Sequence, residues 1–241
     1  MMQETLLLRT ASAALRPEPK RFANAIARVQ DFLKRNQDPY VIERDLEELL
    51  ASAETDGLVY IERVVDGELV AVAGAFPKNK DTVTSPVYLE LGATIVHRDY
   101  RGFGLHKVLQ QVRLLRLYLL HHESLVVFTC AKTGNYKSSG SLIKTGFAET
   151  CDPSILKLKP STEGRRFYYF PLDRMPEVAR AFLDRKTTYV HRSRRYPDEY
   201  PEVDDRELEL LLEPEIKQRS HMFAAIRDLA DDDRDDGPDD P

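Results

Sequence analysis

Residues 87–120 read VYLELGATIV, HRDYRGFG and LHKVLQQVRLLRLYLL in succession. The first segment is rich in β-branched and apolar residues and predicts a strand over Val87–Val96. The second carries Gly102 and Gly104 and predicts a tight turn. The third repeats Leu and Val at helical spacing and predicts a helix from Leu105 to Leu120. A helix entered from a strand through a glycine turn presents backbone N–H groups that have no intrahelical partner. The helix dipole favours negative charge at the same place. The anion that suits such a turn is a phosphate, although a glycine there can also serve only to permit positive φ.

The hexapeptide Arg101-Gly102-Phe103-Gly104-Leu105-His106 resembles the acyl-CoA loop of the GNAT acetyltransferases, Arg/Gln-x-x-Gly-x-Gly/Ala. Arg101 and Gly104 match; His106 replaces the final small residue. Two further segments follow the family in order. Upstream, Glu90-Leu91-Gly92-Ala93 through Val96 is similar to the strand before the loop. Downstream, Leu125–Ala131 reads as a strand, and Asn135 leads to Gly146-Phe147 at the family's spacing. The resemblance spans residues 4–172. It implies the GNAT fold, an α+β, three-layer architecture whose central mixed, mostly antiparallel sheet is flanked by helices. It implies acetyl-CoA, or another acyl-CoA, as co-substrate without a metal. The activity it implies is acyl-CoA-dependent N-acyltransfer, with acetyl passing to a primary amine by direct attack.

On that resemblance the cofactor is held by Ile95, Val96, Arg101, Gly102, Phe103, Gly104, Leu105, His106 and Asn135. The oxyanion falls to a backbone N–H within Ala93–Val96, where the family's strand bulges. The acceptor pocket falls to Phe22–Ala53. Glu90 is the candidate base, since a carboxylate can take the ammonium proton directly or through water. Alternation turns it away from Leu89 and Leu91. A solvated position or a salt bridge is the other reading of Glu90. The family's tyrosine acid is missing: its position is Leu142, and Ser139, Ser141 and Tyr136 are out of register. His106 can crowd a phosphate, bond it or point outward. These two departures leave a second reading open, a catalytically decayed GNAT-fold CoA-binding or regulatory module acting through a protein partner.

The chain of 241 residues has a net charge of −5. Asp228–Pro241 contributes eight Asp against one Arg, so the remainder is weakly positive. Such a balance does not suit nucleic acid, which calls for a basic stripe. Cys130 and Cys151 make neither a disulfide framework nor a metal set, and Cys130 reads as a buried thiol. His121-His122 reads as a helix C-terminus rather than a metal site. No apolar run has bilayer-crossing length. The N-terminus does not read as a signal peptide, so cytoplasmic residence is the default expectation.

Further elements are expected as an edge strand at Thr5–Arg9, helices at Arg21–Asn36 and Ile42–Ala53, and a hairpin about Asp66-Gly67 in a type I′ turn. A final antiparallel pair is expected from Ser154–Leu158 and Phe167–Phe170. Arg113 and Arg116 are expected on a solvated helix face. The domains divide as an acyltransferase domain over 1–172, a partly helical extension over 173–227 and a disordered acidic tail over 228–241. The extension is a candidate homodimer or partner surface.

Overall fold

The computed structural model describes residues 5–11, 19–78, 87–121, 125–158, 164–175, 177–178 and 202–204. The elements run β1 (Thr5–Ala11), α1 (Pro19–Arg35), α2 (Leu46–Glu54), β2 (Leu58–Arg63), β3 (Leu69–Pro77) and β4 (Val87–Val96). They continue with α3 (Leu105–His121), β5 (Leu125–Lys132), α4 (Tyr136–Lys144), β6 (Ala148–Thr150), α5 (Pro153–Leu156), β7 (Arg165–Tyr169) and β8 (Glu202–Asp204). The eight strands form one sheet in the order β6-β7-β5-β4-β3-β2-β1-β8. It is mixed and mostly antiparallel, the parallel pairs being β4 with β5 and β1 with β8.

Two apolar layers lie on opposite faces of the sheet. On one, Leu89, Leu91, Val108, Leu109, Val112 and Leu115 join β4 to α3. On the other, α1 presents Ala25, Ile26, Val29 and Phe32, a stripe at helical spacing, to Leu58, Tyr60 and Val72. Burying each large side chain of such a stripe contributes roughly 1.5–3 kcal/mol.

Several boundaries depart from the sequence expectation. The second helix starts at Leu46 rather than Ile42, because the Asp45 carboxylate caps it by accepting from the Glu48 N–H at 2.8 Å. Residues 42–44 are thereby left outside regular structure, and Ile42 and Arg44 line the cleft described below. In the β2–β3 hairpin only Gly67 has positive φ, at 71°. The connection is therefore not a type I′ turn at Asp66-Gly67; it is a wider loop closed by Gly67 N–H to Arg63 O and Arg63 N–H to Glu68 O. Ser154–Leu158 is not a strand. Asp152 accepts from the Ser154 N–H and Pro153 opens the short α5, so β7 pairs with β6 instead. β1 is not an edge, since β8 covers it.

Met175 and Val178 are buried in the α3-side core. Most of the partly helical extension expected over 173–227 lies outside the described residues, as does the whole acidic tail. No helix among the described residues is long and apolar enough to cross a membrane.

Candidate active site

β4 and β5 pair in parallel from Val87–Leu125 to Leu91–Thr129, and there the ladder stops. The Thr129 hydroxyl donates to Leu91 O at 2.7 Å and closes the last rung. Beyond it β4 stays with β3 but bulges: Val72 pairs with Ile95 and Gly74 with Gly92, so Ala93 and Thr94 both oppose Ala73. Ala93 takes φ 49° to allow this. A bulge bends its strand and resets the facing of later side chains. Leu89 and Leu91 face α3 and Glu90 the opposite side, as alternation predicts, and past the bulge Thr94 reaches the α3 side. The two strands thus part around a cleft of about 630 Å3.

The turn between β4 and α3 forms one end of the cleft. After a single 3-10 turn at Arg98–Tyr100, Gly102 and Gly104 take φ 98° and 77°. The first intrahelical bonds run from the Lys107 and Val108 N–H groups to Gly104 O, so the Leu105 and His106 amides precede the ladder. The Leu105 side chain is buried in the core and Ile95 in the opposite one, while Phe103 and Val96 are partly buried. What Ile95, Val96 and Leu105 offer a ligand is backbone. The Arg101 side chain is largely exposed; its Nε donates to Val96 O at 3.1 Å and its Nη2 lies 3.8 Å from Asp38.

His106 does not point outward. Its Nδ1 lies 3.3 Å from the Ser141 hydroxyl on α4. Burial, and then the charge of Arg113, push its pKa down to about 4, so the ring is neutral at physiological pH. Asn135 borders the cleft and caps α4, its Oδ1 accepting from the Ser138 N–H at 3.1 Å. Leu142 is buried in the core, and Tyr136 is 78% exposed, so neither presents a phenol to the cleft.

Glu90 is 1% exposed and lies inside a closed ring of charges. Arg44 Nη2 is 3.0 Å from Oε1, and Lys78 Nζ is 3.1 Å from Oε2. Both cations also reach Glu48, at 2.6 and 3.5 Å. Two acids and two bases alternate, so the ring is neutral overall. The Arg44 guanidinium also stacks on Phe76, 4.2 Å from the ring centroid. Burial opposes its charge; Glu90 and then Glu48 outweigh burial and hold its pKa above the ordinary arginine range. The salt-bridge reading of Glu90 is therefore what the geometry displays, alongside its place on the cleft wall.

Arg113 and Arg116 are not solvated; they are 1% and 6% exposed. Arg116 pairs with Asp56 at 3.3 Å. Arg113 has no carboxylate partner among the described residues. Its Nη1 donates to Gly74 O at 2.6 Å and Gly92 O at 3.3 Å, its Nη2 to the Thr94 hydroxyl at 3.0 Å, and its Nε to Leu109 O at 3.1 Å. A buried guanidinium thus ties α3 to the strands on either side of the bulge. Burial lowers its pKa to about 9, which still leaves it charged at neutral pH. Cys130 is half-buried on the cleft wall rather than sealed in the core. Its Sγ is 3.9 Å from Glu90 Oε1 and 3.8 Å from Arg165 Nη1.

Arg44, Lys78, Arg113 and Arg165 escaped the sequence reading because each is brought in by tertiary contact. Arg113 reads as solvated because Gln110 and Arg116 stand at i−3 and i+3 from it and suggest a polar helix face. Among the described residues no group of three or more His, Cys, Asp or Glu is placed to hold a metal ion.

A parallel pair splayed beside a bulge, with a glycine turn and helix N-terminus at its end, settles the architecture. This is the GNAT fold. No family model matches the chain, and no curated protein matches it by sequence. Solved structures similar to it include a GNAT-family acetyltransferase from Staphylococcus aureus Mu50, at 14% identity over 69% of this chain and 98% of that one, with a TM-score of 0.48. A GNAT-family acetyltransferase from Streptococcus pneumoniae is 16% identical over 68% and 96%, with a TM-score of 0.45. Naa50 from Arabidopsis thaliana, in complex with a bisubstrate analogue, is 14% identical over 68% and 96%, with a TM-score of 0.46.

Proposed function

We propose that this GNAT-fold chain is an acyl-CoA-dependent N-acyltransferase that moves acetyl from acetyl-CoA to a primary amine. The observation that carries the reading is the cleft, bulged on one wall and ended by the α3 turn. The amides of the turn suit a pyrophosphate, with Arg101, Lys107 and Lys137 at hand among the lining residues. Between the splayed strands lies room for an extended thioester arm. The bulge, clamped by Arg113, offers backbone N–H groups to the oxyanion that forms when the amine attacks the acyl carbon.

Glu90 is the proposed base. At 1% exposure it does not meet a bulky amine directly, so the proton passes through a cleft water. As the tetrahedral intermediate collapses, the C–S bond breaks, the amide remains on the acceptor and the CoA thiolate takes a proton from solvent. The test is CoA thiol release from acetyl-CoA with a panel of amines, for the parent and for Glu90→Gln. We expect the variant to lose about a hundredfold or more in kcat, with thermal unfolding run in parallel because the substitution also strips Arg44 and Lys78 of a counter-charge. Parent-like turnover would move the base elsewhere. Leu142, buried where the GNAT resemblance calls for the tyrosine acid, favours the second reading of a CoA-binding module. Binding of CoA without release of thiol on any amine would support that module instead.

A further inference from the structure

Side chains of β5 alternate between the two faces of the sheet. Val127 and Ala131 enter the core beneath α3, while Phe128 and Cys130 face the other way with Phe167. The β5–β7 register sets Cys130 opposite Phe167 and Lys132 opposite Arg165. Arg165 therefore shares the face of Cys130 and Glu90, the face away from α3. Half-buried, it lines the cleft and touches the Cys130 sulfur at 3.8 Å. No carboxylate among the described residues pairs with it, whereas its neighbour Arg166 has Glu149 at 3.9 Å. Lys132 stands beside it, its ammonium 5.8 Å from the Tyr40 ring centroid and without an acid partner among the described residues.

The described acids lining the cleft are Asp38 and Glu90, and both are engaged, by Arg101 and by the Arg44–Lys78 pair. The far wall is thus left with net positive charge. The cations suited to CoA phosphates, Lys107 and Lys137, belong to α3 and α4 on the opposite face. A half-buried guanidinium without a counter-ion among the described residues matches a carboxylate, which it can grip through two parallel N–H bonds.

We infer that the amine acceptor carries a carboxylate and that Arg165, supported by Lys132, receives it. This rests on the acyltransferase reading. Both Glu90 and Arg165 lie within 4 Å of one sulfur atom, so amine and carboxylate belong to a compact molecule. A free amino acid has that chemistry.

The experiment is calorimetric titration of the CoA-saturated protein with free amino acids, their carboxamides and the matched aminoalkylphosphonates. The same acids and amides are then compared in turnover. The expected result is binding of an acid at least about tenfold tighter than its amide, as loss of a charge-assisted pair requires. Arg165→Gln should abolish that difference through KM, with CoA affinity unchanged; Arg165→Lys should restore part of it. Equal affinity for acid and amide, or an equal loss of both in Arg165→Gln, overturns the proposal while leaving CoA binding intact. Preference for the phosphonate over the acid also overturns it, reassigning the anion to phosphate. Failure of the parent to bind CoA removes the acyltransferase reading and this one with it.

Discussion

His106 occupies a turn position where the GNAT resemblance calls for a small residue, and it faces Ser141 across the gap between α3 and α4. Folding moves its pKa down, to about 4 from an unfolded value of 6.5. The unfolded chain therefore binds more protons through that interval, and stability falls as pH drops from about 6.5 to 4. The full effect is up to about 3 kcal/mol, less to the extent that cleft water reaches the half-buried ring. We expect His106→Asn to flatten this part of the pH–stability curve, read as urea midpoints of variant and parent at matched pH; superimposable slopes would contradict it. At this scale the sequence was least informative. That a histidine stood at the turn was plain, but its direction depended on α4, which is 30 residues away in the chain. Arg113 was hidden for a different reason: its partners are chiefly main-chain carbonyls, which leave no pattern in a sequence.

β4 and α3 were legible almost to the residue, because β-branched alternation, a glycine turn and a Leu/Val period sit side by side and agree. The bulge in β4 was known only through resemblance, since neither Ala93 nor Thr94 announces positive φ. Gly92 belongs with it. A Cβ at Gly92 would stand 2.9 Å from Arg44 Nη2 and 3.3 Å from the Phe76 ring. Arg44 has little freedom to yield, being fixed by Glu48, Glu90 and Phe76. Gly92→Ala should therefore cost about 1–3 kcal/mol of stability, measured by urea unfolding; an unchanged midpoint would show the charge ring to be looser than its geometry. Local signals also misled where two of them conflicted. The apolar run Ser154–Leu158 suggested a strand, yet Asp152-Pro153 ahead of it is a helix start, and the cap prevailed.

For the whole molecule, the sheet divides its labour between faces. The α3 turn and α4 gather backbone amides, Lys107 and Lys137 on one side of the cleft, and Glu90, Cys130 and Arg165 stand on the other. The fold class was readable because three motifs occur in the right order. The charge distribution across the cleft was not, because it arises from residues between 38 and 165 that meet only after folding. Everything proposed about chemistry depends on an acyl-CoA entering between the strands. The most direct test is calorimetric titration of the purified chain with CoA and acetyl-CoA, beside Gly104→Glu. Nothing lies within 4 Å of a Cβ built at Gly104, but its φ of 77° and its place at the turn make a glutamate there both strained and repulsive to phosphate. The expected result is one-to-one binding in the micromolar range or tighter for the parent, weakened at least about a hundredfold in the variant. Absence of binding by the parent, or parent-like affinity in Gly104→Glu, would contradict the assignment of the cleft.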